Sequence, residues 1–164
     1  MTSVAVVPAR PADLPALAEL MAASPLLRRY GTTRASAREA LARAEQAGDL
    51  LLVARAAEEP VDGLAWVVGS RILAGAAYLR LLLVSEERQG TGVGARLLAA
   101  AEAGAAARAN HMVLLVTADN ARARRFYEAN GYRHVGDLPS HAVPGLDEAL
   151  YEKTLRPHGE RLPV

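Results

Sequence analysis

The stretch Gln89-Gly90-Thr91-Gly92-Val93-Gly94 follows an apolar run ending Leu81-Leu82-Leu83-Val84 and leads into the alanine- and leucine-rich stretch that begins Ala95-Arg96-Leu97-Leu98. That order reads as strand, glycine loop, helix. Glycines at alternate positions let the chain turn with its backbone N–H groups pointing one way, and the helix behind them adds the positive end of its dipole. Such a loop is suited to an anion, a pyrophosphate above all. A tight strand-to-helix turn with no ligand is the bland alternative.

Composition narrows the rest. With 164 residues, 51% of them hydrophobic, the chain can bury one sizeable core, and no linker interrupts its middle, so residues 1–164 are expected to form one domain. The net charge is +1, and the basic residues run from Arg10 to Arg161 without the concentrated stripe of a nucleic-acid binder. No nucleic-acid partner is expected. The absence of cysteine excludes disulfides, thiolate metal sites and a cysteine nucleophile. His111 and His134 lack metal-ligand spacing, and His158 falls in a Pro- and Gly-containing segment, 155–164, read as a loosely held tail. No metal is expected. The start lacks the basic flank and long apolar core of a signal peptide, and no apolar stretch approaches the roughly 20 residues that span a bilayer. The expectation is a cytoplasmic protein with no membrane partner.

Periodicity places the elements. Val4 to Val7 reads as a strand, and Leu14, Leu17, Ala18 and Met21 lie at helical spacing after Pro11. Ser24 to Thr33 reads as a loop holding at most a helical turn. Ser36 and Glu39 have capping-box spacing ahead of a helix that Gly48 stops. Leu50–Ala54 and Leu64–Val68 form a hairpin around Glu58-Glu59-Pro60-Val61-Asp62-Gly63, and Ala77–Val84 is a third strand approached through Gly69 to Gly75. A helix over 93–109, a strand over 111–117, a helix over 120–130, a strand from Tyr132 and a last strand over 150–155 complete the order. The fold class is therefore α/β, of the α+β kind: three antiparallel strands, then β-α-β, in a mixed sheet with helices on both faces.

Considered alone, Gly90 to Ala95 also fits the G-x-G-x-x-G/A dinucleotide fingerprint, and Asp119 follows the next strand. A dinucleotide oxidoreductase stays open on that loop, although too little chain follows Asn120 for further βαβ units. A companion motif breaks the tie. Over Asn120 to Tyr132 the sequence fits N-x-x-A-x-x-F-Y-x-x-x-G-F/Y, and Gln89 to Gly94 fits Q/R-x-x-G-x-G/A. With both motifs in register, the chain resembles the GNAT superfamily of N-acetyltransferases, most strongly over Ala77 to Val135.

The resemblance implies a GNAT fold with a splayed parallel strand pair at the cofactor site, and acetyl-CoA as acyl donor to the primary amine of an acceptor, by direct attack in a ternary complex. The acceptor is a small molecule or a peptide, and homodimers are common in the family. Pyrophosphate would lie on the amides of Gln89, Gly90, Thr91, Gly92, Val93, Gly94 and Ala95, and pantetheine along Leu82, Leu83 and Val84, where an amide could polarise the thioester carbonyl. Tyr127 matches the position whose phenol protonates the departing thiolate, and with an ordinary pKa of about 10 it stays protonated at neutral pH. Asn120 matches a position that touches the pantetheine arm, and it is equally a good helix N-cap. A core aromatic packed beside Phe126 is the bland alternative for Tyr127.

The base is the gap in this reading. Many relatives carry an acidic residue on the strand before the glycine loop, where this chain has Arg80 and Leu81. Glu86 and Glu87 fall on the loop as solvated charge, while Tyr30 and His141 occupy segments that border the acceptor cavity in the family. Arg28, Arg29 and Arg80 would favour an acceptor bearing a carboxylate. Arg122, Arg124 and Arg125 read as a solvated helix face, and Trp66 as a sheet residue, in the core or lining the acceptor side. The missing strand carboxylate also motivates a third reading, a non-catalytic module that binds acyl-CoA and senses it.

Overall fold

The computed structural model describes residues 4–56 and 60–156; His158, most of the expected tail and the Glu58-Glu59 part of the hairpin turn lie outside them. Strands β1 (Val4–Pro8), β2 (Leu50–Ala56), β3 (Val61–Leu73), β4 (Ala76–Val84), β5 (His111–Thr117), β6 (Arg133–Val143) and β7 (Leu146–Thr154) form one sheet in the order β1-β2-β3-β4-β5-β7-β6. Among the described residues only β4 and β5 pair in parallel. The mixed sheet is the one the sequence implies, and its single parallel pair rules out a dinucleotide domain built from repeated βαβ units.

Helices α1 (Leu14–Ala23), α2 (Pro25–Arg29), α3 (Arg34–Gln46), α4 (Val93–Ala106) and α5 (Ala121–Ala129) cover the sheet. Leu17, Leu41, Val53, Leu64 and Trp66 close one core under α1 and α3. Leu97, Leu98, Met112, Leu114 and Tyr151 close the other under α4 and α5. Each fully buried leucine contributes about 1.5–3 kcal/mol of transfer free energy, so both faces hold the sheet. Gly63 is required on β3, because a Cβ there would meet Leu97 Cδ1 at 2.8 Å and the Leu83 carbonyl at 2.9 Å. No helix among the described residues is long and apolar enough to cross a membrane.

Several boundaries differ from the sequence reading for local reasons. The capping box of α3 is Thr33/Ser36 rather than Ser36/Glu39: the Ser36 amide donates to Thr33 Oγ1 at 3.1 Å, and the Thr33 amide to Ser36 Oγ at 2.9 Å. Ser36 is therefore the third helical residue and not the cap. Residues 69–73, read as an approach, continue β3, and α4 ends at Ala106 rather than 109. Residues 139–143, the segment around His141, extend β6 with an irregular register, and β7 begins at Leu146, four residues before the expected Leu150.

One irregularity opens the sheet. Val67 pairs with Leu79 but Trp66 pairs with Leu81, which leaves Arg80 as an extra residue on β4. A bulge bends its strand, and here it also changes which side chains face which layer. Leu79 packs in the α4 core, Leu81 and Leu83 pack on the α1 and α3 side, and Leu82 and Val84 return to the α4 side. Pairing of β4 with β5 stops at the same point, with Leu79 opposite Leu114. Beyond it β5 stays paired with β7 as far as Thr117 opposite Glu148, while β4 stays paired with β3 as far as Val84 opposite Gly63. The two strands part, and backbone edges face each other across the gap.

Candidate active site

At the far end of β4 the chain makes a short helical turn, Glu86–Arg88, and then the glycine loop. Gly90 and Gly92 have φ of +76° and +85°, a conformation that side chains with a Cβ rarely adopt. Gly92 caps α4, whose first backbone bond runs from the Arg96 amide to the Gly92 carbonyl at 3.1 Å. The amides of Val93, Gly94 and Ala95 therefore have no acceptor within their own helix. A Cβ on Gly94 would stand 3.6 Å from Val84 Cγ2 and 3.7 Å from Phe126 Cζ, so this first turn is wedged between the end of β4 and α5. Three free amides and a helix dipole thus converge at the gap, an arrangement that fits a diphosphate.

Gln89 braces the same corner. Its Nε2 donates to the Val84 carbonyl at 3.3 Å and its Oε1 accepts from Arg122 at 2.6 Å, tying β4 to α5. Thr91 Oγ1 donates to the Arg88 carbonyl at 2.6 Å and fixes the bend.

A cavity of about 590 Å³ occupies the gap and continues under α2 and α3. Tyr127, Asn120, Leu82, Tyr30, Arg80, His141 and Trp66 all line it. Leu83 and Val84 lie on the open edge of β4 without lining it. Tyr127 is 8% exposed, with its ring edge-on to Phe126 and Tyr132 at 5.2 and 5.5 Å between centroids. Burial, reinforced by nearby Tyr78, pushes its phenol well above its ordinary value, so the hydroxyl keeps its proton across the physiological range. Its hydroxyl makes no hydrogen bond to a described residue. Asn120 caps α5 through Oδ1, which accepts from the Ala123 amide at 3.1 Å, and it also lines the cavity.

At the other end, side chains from distant segments meet. Tyr30 Oη lies 2.8 Å from Thr117 Oγ1 and donates to Glu148 Oε1 at 3.2 Å. Burial and the neighbouring Glu148 charge push the Tyr30 phenol above its ordinary value, against the Thr117 hydrogen bond. Tyr78 is raised in the same way by burial, by Glu148 and by Tyr30, with Arg80 opposing. The Arg80 guanidinium stacks 4.8 Å from the centre of the Trp66 ring, whose indole N–H donates to Asp49 at 2.8 Å. Trp66 is thus both core and cavity wall.

Glu148, Thr117 and Tyr78 were not singled out from the sequence. Thr117 and Glu148 are ordinary strand residues until β5 and β7 pair, and the contact that marks them comes from Tyr30, 118 positions before Glu148. No local pattern marks Glu148, which follows Asp147 in the run Leu146-Asp147-Glu148-Ala149-Leu150.

Several arginines are committed elsewhere. Arg29 makes a bidentate pair with Asp119 at 3.2 and 2.9 Å, and Arg28 donates to the Ala22 carbonyl at 3.0 Å, so of the three arginines suggested for an acceptor carboxylate only Arg80 lines the cavity. The same pair removes Asp119 from any role on a ribose. Arg124 does not belong to a solvated face: it donates to Tyr151 Oη at 3.0 Å and to the Ala118 carbonyl at 3.3 Å. Glu86 and Glu87 are exposed, His111 pairs with Glu152 at 2.6 Å, and His134 pairs with Asp137 at 2.9 Å. Among the described residues no group of three or more His, Asp or Glu is placed to hold a metal.

With this geometry in hand, three comparisons locate the chain among known proteins. No curated protein sequence matches it. Solved structures do: yncA from Salmonella typhimurium, determined with its cofactor acetyl-CoA, is 19% identical with a TM-score of 0.77, over 97% of this chain and 98% of that one. An N-acetyltransferase from Staphylococcus aureus Mu50 is 19% identical with a TM-score of 0.78, over 94% and 99%. An aminoglycoside 6'-N-acetyltransferase complexed with coenzyme A is 16% identical with a TM-score of 0.77, over 95% and 99%. At these identities the likeness is one of fold. Residues 23–146, more than half of the chain, match the family model described as an acetyltransferase (GNAT) domain. The chain is a member of the GNAT acetyltransferase family.

Proposed function

We propose that this protein transfers an acetyl group from acetyl-CoA to a primary amine, by direct attack while both substrates are bound. The observation that carries the reading is the gap between β4 and β5, where the capping turn of α4, the open edge of β4 and Tyr127 meet. Acetyl-CoA supplies an activated thioester there. The amides of Gly90 to Ala95 hold its diphosphate, and the unpaired edge of β4 from Leu82 to Val84 offers donors and acceptors to the amides of its pantetheine arm. An amide at Leu83 or Val84 polarises the thioester carbonyl and steadies the charge that develops on its oxygen.

Tyr127 protonates the departing thiolate. Its raised pKa keeps the proton on the phenol while the site is at rest. Phe126 and Tyr132 hold the ring by edge-on packing, which fixes the hydroxyl at the cavity. Asn120 sets the start of the helix that carries Tyr127, and it also contacts the pantetheine arm.

Two measurements test the proposal together: calorimetric titration with acetyl-CoA, and release of CoA thiol across a panel of primary amines. One-to-one binding and amine-dependent thiol release are the expected outcome. Binding without release by any amine would favour the non-catalytic sensing module, and binding of NAD(H) in place of acetyl-CoA would overturn both.

A further inference from the structure

Glu148 is 7% exposed, lies on β7 opposite Thr117 and lines the cavity. Its Oε1 accepts the Tyr30 hydroxyl at 3.2 Å, while Oε2 is buried with no hydrogen-bond partner. A carboxylate oxygen left in that state destabilises the fold, and native proteins tolerate one where a ligand completes it. No arginine or lysine pairs with Glu148 among the described residues, and Arg29 is committed to Asp119. The strand position that carries an acidic residue in many GNAT proteins is filled here by Arg80, the bulged residue. The cavity therefore has one carboxylate, and it enters from the opposite side of the gap.

We infer that Glu148, positioned by Tyr30 and Thr117, seats the ammonium group of the acceptor and takes its proton. The inference rests on the acetyl-transfer reading and deepens it. An ammonium N–H proton passes to the Glu148 carboxylate, and the freed lone pair forms the C–N bond to the acetyl carbon. The C–S bond breaks, the sulfur takes the Tyr127 proton, and the remaining excess proton on nitrogen returns to the Tyr127 oxygen. Glu148 then loses its proton to water when product leaves.

The same cavity restricts the acceptor. Arg80 and Arg43, which also faces Glu39 at 3.7 Å, line it, and Met21, Leu26 and Leu27 form an apolar wall. A second ammonium group would meet two guanidiniums, so the acceptor is a primary amine with a single positive charge and a neutral or anionic remainder.

The test uses the full-length protein with glycine amide, free amino acids, aliphatic monoamines and the polyamine spermidine as acceptors. With the fastest acceptor, E148Q is expected to lose about 100-fold in kcat/KM, within the range of general-base catalysis. Acetyl-CoA affinity should stay unchanged and the melting temperature should not fall, and E148D should recover part of the rate. The Kd of the acceptor for the CoA-loaded protein should weaken in E148Q, a readout independent of turnover. Wild-type kcat/KM and acceptor Kd in E148Q, with acetyl-CoA still bound, would overturn the role of Glu148 and leave the transferase reading standing. Loss of acetyl-CoA binding by the wild type would sink that reading instead. Spermidine outpacing every monoamine would overturn the restriction to singly charged acceptors.

Discussion

The site has two ends, made from different materials. The end at the glycine loop is main chain: amides of one turn, ordered by positive φ at Gly90 and Gly92, and the edge of one strand. The end under α2 is side chain: Tyr30, Thr117, Glu148, Tyr78 and Arg80, drawn from four elements separated widely in sequence. A main-chain site asks little of the sequence beyond glycine where the backbone must turn left-handed, so many chains can share it. A side-chain site changes with every substitution, and it is the place where members of one family diverge in what they accept.

That contrast can be broken by substitution. The largest effect should come from Gly92→Val, since a β-branched residue at φ +85° forces the cap of α4 to move. We expect acetyl-CoA affinity to fall by about 100-fold or more by calorimetry, equivalent to about 2.7 kcal/mol. Next is Tyr127→Phe, which should lower kcat by about 100- to 10,000-fold while leaving the acetyl-CoA Kd within two-fold of wild type, roughly speaking. The raised Tyr127 pKa adds a sign. Its proton is lost only far above neutrality, so no alkaline limb from Tyr127 should appear in the wild-type rate profile below pH of about 10.

Smaller effects sharpen the comparison. Asn120→Ala removes the cap of α5 and should cost about 1 kcal/mol of stability in denaturant unfolding. If Asn120 also touches the pantetheine arm, acetyl-CoA binding weakens with it; an unchanged Kd would leave the cap as its only role. Arg29→Ala releases α2 from Asp119, an exposed contact whose loss should leave the melting temperature unchanged. The acceptor KM should rise several-fold, because α2 carries the approach to Tyr30, while the acetyl-CoA Kd stays constant.

How much of this was legible beforehand follows the same division. Asn120 to Tyr132 and Gln89 to Gly94 each carry their meaning locally, as a capped helix with an aromatic pair and as a glycine turn, so both were readable. The order of strands followed from periodicity. The bulge at Arg80 was not readable, since it exists only in the pairing of β4 with β3, where Trp66 meets Leu81 and Val67 meets Leu79. Glu148 was invisible for a related reason: β7 was expected to begin at Leu150, and residues 146–149 join the strand through pairing with β5 and β6 rather than through a strong local pattern. Arg124 looked solvated because its partner, Tyr151, lies 27 positions away.

The central claim is that main-chain amides at the start of α4 hold the diphosphate of acetyl-CoA. Amide chemical shifts followed through an acetyl-CoA titration test it most directly. The account predicts that Gly90, Gly92, Val93, Gly94 and Ala95 move together and saturate at one equivalent, with Leu82 to Val84 moving in the same titration. Saturable binding that leaves those amides in place and shifts residues elsewhere would contradict it.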